Sequence, residues 1–358
     1  QKTHMNEPPV LIQDFSQMRA VILNRPHSIN TRNLEMIRLL RRALDEALTD
    51  AAIRFVCLKG AGDRGFCAGG DLKELGRAVE TGAPNRAMQF FREEYDLDLL
   101  IHQFPKPVIV LADGITMGGG LGLAAGAGLV AATERTRMAL PETRIGFFPD
   151  VGATGWLFTK CPPGYPEYLA LKGYELAGGE CVRAGLATHL INSRNLPHLQ
   201  GLLENPPEAV ASQKAAALEQ LRGWLESLSE AAIPADPRLD GWIAEHFAGK
   251  NSIQEIMASL SRCSLEAELC DEVFHRLSER SPTALALTLN LLRADEGRPL
   301  EEVFAREARA AAWSWNPTQR RLDTRFARPI LPAWPLRNQF SSRPKSSPPC
   351  AASSATTA

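Results

Sequence analysis

Apolar residues follow two spacings in the first half of the chain and only one in the second. Met18-Arg19-Ala20-Val21-Ile22-Leu23-Asn24 is a short apolar run halted by Arg25-Pro26, which predicts a strand. Between Asn33 and Asp50 the apolar positions Leu34, Ile37, Leu40, Ala43, Leu44 and Leu48 recur at helical spacing, with charges on the opposite face. Phe55 to Leu58 predicts a second buried strand, ended by Gly60-Ala61-Gly62, and Pro107 to Ala112 a third, broken at Asp113-Gly114. Strand, helix, strand, helix, strand in this order predicts an α/β layout with a largely parallel sheet.

After about residue 195 the strand signals vanish. The stretches 208–229, 239–247, 252–260, 264–279 and 283–294 carry helical patterns separated by Pro, Gly and Ser breaks. The chain therefore divides into an α/β core over 8–195, a helical region over 196–310 and an atypical tail over 311–358. The tail is rich in Arg and Pro, then in Ser, Pro, Ala and Thr, and its composition predicts disorder.

Composition narrows the function classes. The 358 residues are 44% hydrophobic and 23% charged, with a formal net charge of −1, so no global field draws nucleic acid or an anionic membrane. No run approaches the roughly 18–20 apolar residues that cross a bilayer. The start lacks the basic end and apolar stretch of a secretory signal, and Met5 reads as the natural beginning. Cys57, Cys67, Cys161, Cys181, Cys263, Cys270 and Cys350 form no CxxC pair, which predicts reduced thiols and a cytoplasmic or matrix setting. No Cys/His cluster has zinc spacing, so no metal site is expected.

Three segments carry candidate chemistry. Gly60-Ala61-Gly62-Asp63-Arg64-Gly65 matches GxGxxG, but the glycine-rich Phe66-Cys67-Ala68-Gly69-Gly70-Asp71 follows where a dinucleotide fold needs a helix. That second cluster lets backbone approach a ligand closely. Gly114-Ile115-Thr116-Met117-Gly118-Gly119-Gly120 leads into an Ala/Gly-rich helix, whose start presents free N–H groups. Two such loops could jointly hold one developing oxyanion, or simply pack closely. In Pro141-Glu142-Thr143-Arg144-Ile145-Gly146-Phe147-Phe148-Pro149-Asp150, two carboxyls stand eight apart beside aromatic residues, where desolvation would raise their pKa. The plainer reading is a surface Glu142 and a helix-capping Asp150. His189 sits in an apolar phrase and reads as a core or loop histidine, and no GxSxG elbow is present.

These three segments, in this order and spacing, resemble the crotonase (enoyl-CoA hydratase/isomerase) superfamily over about residues 10–305. The resemblance implies a spiral of repeated ββα units, followed here by a smaller helical C-terminal region, that binds acyl-CoA thioesters. It implies an oxyanion hole from the backbone N–H groups of Gly70 and Gly119. Hydratases of the superfamily carry a glutamate three residues after the second oxyanion glycine, where this chain has Gly122. Their second glutamate corresponds to Glu142, and Asp150 stands where they have glycine. Gly122, Glu142, Asp150, the stretch Phe91-Arg92-Glu93-Glu94-Tyr95 and the phrases at 183–191 and 281–289 are similar to the 3-hydroxyisobutyryl-CoA hydrolases.

The resemblance implies thioester hydrolysis, with Glu142 attacking the carbonyl or activating a water and Asp150 holding the substrate 3-hydroxyl. Glu94 would line the acyl pocket and Ala68 the path of CoA, with Arg25, Lys73 and Arg144 as candidate phosphate contacts. No cofactor is implied, since CoA is part of the substrate, and a homo-oligomer is compatible. Three alternatives stay open: another acyl-CoA enzyme of the superfamily, an acyl-CoA-binding protein without catalysis, or a subunit that serves only oligomer assembly. From about Arg309 the sequence departs from the hydrolases, which close with a charged helical stretch.

Overall fold

The computed structural model describes residues 7–81, 83–230 and 233–315. Ten strands are β1 (Val10–Asp14), β2 (Met18–Leu23), β3 (Phe55–Gly60), β4 (Gly65–Cys67), β5 (Val108–Ala112), β6 (Ile115–Met117), β7 (Leu129–Ala132), β8 (Arg137–Ala139), β9 (Leu176–Ala177) and β10 (His189–Leu190). The core helices are α1 (Leu34–Thr49), α2 (Leu72–Glu80), α3 (Pro84–Gln103), α4 (Gly119–Gly126), α5 (Ala153–Lys160), α6 (Tyr165–Lys172) and α7 (Gly179–Arg183). Beyond them lie α8 (Leu196–Glu204), α9 (Lys214–Glu226), α10 (Pro237–Phe247), α11 (Ile253–Ser261), α12 (Ala267–Ser278), α13 (Pro282–Asp295) and α14 (Leu300–Trp315).

Two sheets organise the core. The larger has strand order β1-β2-β3-β5-β7-β10 and the smaller β4-β6-β8-β9. All pairs are parallel except β1 with β2 and β8 with β9. In three successive turns, β3–β4, β5–β6 and β7–β8, the chain places one strand in the large sheet, the next in the small one, and then a helix. This is the ββα spiral that the resemblance implies. The inner strands of the large sheet are apolar on both faces because helices cover both: Val21, Val56 and Val110 belong to one buried cluster, and Ala20, Cys57 and Ile109 to the other.

Local chemistry explains the elements read from the sequence. In α1 the Asn33 side chain accepts from Met36 N at 3.0 Å, capping the helix, and Met36, Ile37, Leu40, Ala43, Leu44 and Ala47 form the buried stripe. Leu48, expected on that stripe, is exposed. The GxGxxG segment is the turn from β3 to β4, with no helix at its end, which agrees with rejecting the dinucleotide reading.

Two expectations are corrected. Residues 311–315 continue α14 rather than beginning an irregular tail, with Ala311 and Trp313 buried against the body; the rest of the expected tail, 316–358, lies outside the described residues. Cys263 and Cys270 are not free thiols but a disulfide, with Cα atoms 6.4 Å apart. The chain turns between α11 and α12 within the six residues that lie between the two cysteines, so a spacing that looks too irregular for a pairing motif still brings the sulfurs together. His246 joins these cysteines, all three candidate ligand atoms lying within 4.8 Å of one another, a cluster invisible in the sequence spacing. With the sulfurs bonded to each other, no thiolate is left to bind a metal.

Candidate active site

Pairing in the small sheet dictates where chemistry can occur. Because β4, β6 and β8 are adjacent and parallel, their C-terminal ends lie side by side, the usual place for a ligand in an open α/β sheet. Those ends lead into Ala68-Gly69-Gly70, into Gly118-Gly119, and into the 3-10 turn Glu142–Ile145. The three motifs singled out in the sequence thus meet at one place.

Glycine is required where the loops touch. Gly69 (φ 101°) and Gly118 (φ 51°) adopt left-handed conformations that side chains disfavour. A Cβ on Gly69 would stand 3.2 Å from Met117 O and 3.5 Å from Gly119 N; one on Gly118 would stand 2.8 Å from Glu142 Oε1. Gly119 is the first residue of α4, so its N–H has no intrahelical acceptor. Gly70 forms a parallel bridge to Arg32 made by Arg32 N to Gly69 O and Asp71 N to Arg32 O, which leaves the Gly70 N–H outside that ladder. The Gly119 N–H and the Glu142 carboxyl therefore flank the contact between the Gly69 and Gly118 loops, with Gly70 next in the chain, an arrangement able to hold an oxyanion beside a nucleophile or base.

Both candidate acids are buried, not surface groups. Glu142 is 8% exposed and its Oε2 has no hydrogen-bond partner. Burial first, then the neighbouring Asp150, pushes its pKa well above the usual carboxylate range. Asp150 caps no helix with its side chain: Tyr95 Oη donates to its Oδ2 at 2.7 Å, while Gly152 occupies the N-cap of α5. Burial raises Asp150 to about 6, opposed by the Tyr95 hydrogen bond and by Arg32. Phe147 and Phe148, with centroids 4.5 Å apart, and Phe91, 5.7 Å from Phe147, supply the apolar surroundings.

Glu94 lies behind the Gly119 backbone and is ion-paired with Arg32 Nη2. Arg32 is fully buried and also reaches Asp98 Oδ1 at 3.3 Å. One guanidinium cannot offset this many desolvated carboxyls: Glu94 is held well above its ordinary pKa and Asp98 is raised to about 7, burial being the main cause in both. A second support comes from α14, where Glu307 accepts from Gly152 N at 2.6 Å and from Thr154 N at 3.1 Å. It anchors the turn after Asp150, where Val151 takes a left-handed φ of 54°.

Ala68, Gly70, Arg25 and Lys73 line a cleft of about 1040 Å³ that also includes Arg77 and Arg86. Arg25 is tied to Asp71 at 2.9 Å. Arg144, expected with them, lines a different cleft on the far side of its turn. Gly122 packs against the site as well: a Cβ there would stand 2.7 Å from Val151 Cβ and 2.9 Å from Asp98 Oδ2. His189, buried with Nδ1 2.8 Å from Thr188 Oγ1, is the plain core histidine it reads as.

Sequence reasoning missed Arg32, Tyr95, Asp98, Thr154 and Glu307. Glu94 and Asp98, one helical turn apart on α3, were the one available signal. Arg32 is a lone basic residue in a loop, and Glu307 stands 155 positions from the glycine it binds.

The enoyl-CoA hydratase/isomerase family model matches residues 18–317. The mitochondrial 3-hydroxyisobutyryl-CoA hydrolase of Xenopus tropicalis is 36% identical over 295 residues, spanning 81% of this chain and 74% of that protein. Among solved structures, an enoyl-CoA hydratase from Rhodobacter sphaeroides superposes with a TM-score of 0.76 at 28% identity, covering 94% of this chain and 95% of its own. A carnitinyl-CoA dehydratase from Mycobacterium thermoresistibile gives the same TM-score of 0.76 at 29% identity, covering 86% of each chain. With the family model matching most of the chain and the loops, glycines and carboxyls arranged as described, the chain belongs to the enoyl-CoA hydratase/isomerase family.

Proposed function

We propose that this chain hydrolyses a short-chain 3-hydroxyacyl-CoA thioester, with 3-hydroxyisobutyryl-CoA, an intermediate of valine breakdown, as its substrate. The observation that carries the reading is Glu142, whose Oε1 lies against Gly118 between the two glycine loops while Oε2 has no partner. The thioester oxygen would accept from the N–H groups of Gly70 and Gly119, and losing one such donor costs about 3–4 kcal/mol at the transition state. Glu142 then attacks the carbonyl carbon, or removes a proton from an attacking water. In either route the C–S bond breaks, CoA leaves as its thiol, and water supplies the oxygen of the product carboxylate. Asp150, fixed at one oxygen by Tyr95, has its second oxygen for the substrate 3-hydroxyl.

Gly122 favours hydrolysis over hydration. The space a glutamate would need is filled by Val151 and Asp98, so the paired-glutamate arrangement of a hydratase has no room. The similarity to 3-hydroxyisobutyryl-CoA hydrolase favours the same substrate. CoA would run past Ala68 with its phosphates near Arg25 and Lys73, and the reaction calls for no further cofactor. We place the activity in a cytoplasm, or in a mitochondrial matrix if the organism is eukaryotic.

The test is thiol release from (S)-3-hydroxyisobutyryl-CoA, with Glu142→Gln and crotonyl-CoA as controls. Release that is lost in the variant and absent on crotonyl-CoA is the expected result. Hydration of crotonyl-CoA without thiol release would replace the hydrolase reading with a hydratase. Acyl-CoA binding with no turnover of either would leave a binding protein.

A further inference from the structure

On the far side of the Glu142 turn, a second cleft of about 590 Å³ shares no lining residue with the one assigned to CoA. Arg144, Lys172, Arg276 and Arg280 line it, together with the rings of Tyr168 and Tyr174. Two carboxylates also face it, and both are committed. Glu272 pairs with Lys172 at 3.0 Å and with Arg276 at 3.5 Å, and Glu175 pairs with Arg137, outside the cleft, at 3.5 Å.

Arg144 and Arg280 are left with no carboxylate within ion-pair distance among the described residues. Each donates to a main-chain carbonyl at the end of α6: Arg144 to Gly173 O, and Arg280 to Lys172 O at 3.3 Å. The partial negative charge of a helix C-terminus draws cations, but about half a unit charge does not neutralise two guanidiniums. Arg280 Nε is buried without any partner. After desolvation, Arg144 and Arg276 disfavour the charged form of Arg280 and Glu279 opposes them only in part, so like-charge repulsion persists in the cluster. Lys172 is 6% exposed and its ammonium sits 4.7 Å from the Tyr174 ring centroid, so the floor of the cleft is ordered rather than a spray of surface lysines.

We propose that this cleft binds a phosphorylated small molecule that carries a flat ring, with its phosphoryl group between Arg144 and Arg280 and the ring against Tyr174. A phosphoryl dianion matches the two unneutralised charges, and guanidinium forks suit its oxygens. The volume exceeds what a bare phosphate fills and falls in the range of small-molecule sites. The assignment is independent of the thioesterase reading, because it uses none of the residues that carry it.

Calorimetric titration of the full chain with ADP and with inorganic pyrophosphate, at constant ionic strength, tests the site. Both should bind, ADP more tightly, and Arg280→Met or Arg144→Met should weaken each by roughly tenfold or more. Arg280→Lys, which keeps the charge and loses the fork, should fall between, and it answers the objection that a Met variant is merely misfolded. Arg222→Met, on α9 and outside both clefts, should leave both affinities unchanged. Absence of binding at millimolar ligand, binding insensitive to the two arginines, or an equal loss in Arg222→Met would overturn the proposal. Equal affinity for ADP and pyrophosphate would overturn the ring contact with Tyr174.

Discussion

Glu307 joins the C-terminal helix to the turn behind Asp150, and its protonation state can be argued from one shared hydroxyl. Thr154 Oγ1 lies 2.6 Å from Glu307 Oε1 and 2.8 Å from Asp295 Oδ2. A hydroxyl has one proton to give, so one of the two carboxyls must itself be the donor. Asp295 is ion-paired with Arg306, whereas Glu307 has no ion-pair partner among the described residues and burial raises its pKa well above the usual range. Glu307 is therefore the neutral acid, donating to Thr154 Oγ1, which donates in turn to Asp295.

This assignment separates two substitutions. In Glu307→Gln a neutral amide can still accept from Gly152 N and donate to Thr154 Oγ1, losing only the bond from Thr154 N, about 1–2 kcal/mol. Glu307→Ala strands the Gly152 and Thr154 N–H groups in the interior, at roughly 1–3 kcal/mol each, or about 2–6 kcal/mol together. Urea unfolding at neutral pH measures both, and turnover should follow, with the Gln variant near the parent and the Ala variant impaired. The pH dependence has a definite sign. The folded parent keeps a proton that the unfolded chain releases near the ordinary glutamate pKa, so its stability falls as pH rises towards the raised folded value. The Gln variant lacks this decline, and the gap between them should narrow with rising pH. Equal damage from Gln and Ala would refute a neutral Glu307.

Two further outcomes follow from the carboxyl cluster. The proposed mechanism needs Glu142 ionised, so kcat/KM should fall with decreasing pH while still above the ordinary glutamate range; Asp150→Asn, which removes a neighbouring charge that raises Glu142, should move that acid limb to lower pH. A limb at the ordinary glutamate value in the parent would contradict control by burial. Gly122→Glu should destabilise the fold by roughly 1–3 kcal/mol or more through overpacking against Val151 and Asp98, and should confer no hydration of crotonyl-CoA. A folded variant that hydrates crotonyl-CoA would show that the pocket accommodates the second glutamate after all.

What the sequence made legible follows from the range of the interactions involved. Strands β2, β3 and β5 are long apolar runs and α1 is a capped amphipathic helix, so local pattern suffices for them. Strands β4, β6 and β8 have three residues each, too few for any periodicity, yet they are the strands that bring the three motifs together. The motifs themselves were visible because close backbone approach demands glycine at Gly69 and Gly118 whatever the rest of the chain does. The groups that tune the carboxyls were not. Arg32 reaches Glu94 across 62 positions and Tyr95 reaches Asp150 across 55, and neither pairing leaves a local trace.

On the proposed mechanism, Gly122 is the small residue that changes the chemistry a shared fold supports. Without a side chain at this position, Val151 and Asp98 approach α4 closely, and that approach places the Arg32 ion pair directly behind the Gly119 donor. The interior thereby exchanges a second acid facing the substrate for a guanidinium and two carboxyls facing each other. Glu142 is left as the buried acid with an unpartnered oxygen beside the glycine loops, in surroundings that make it a stronger base than an exposed carboxylate. Hydration needs two acids to add water across a double bond, whereas attack on a thioester carbonyl needs one base or nucleophile and two backbone donors. On this argument the packing at Gly122 selects between the reactions, and the identity of Glu142 alone does not.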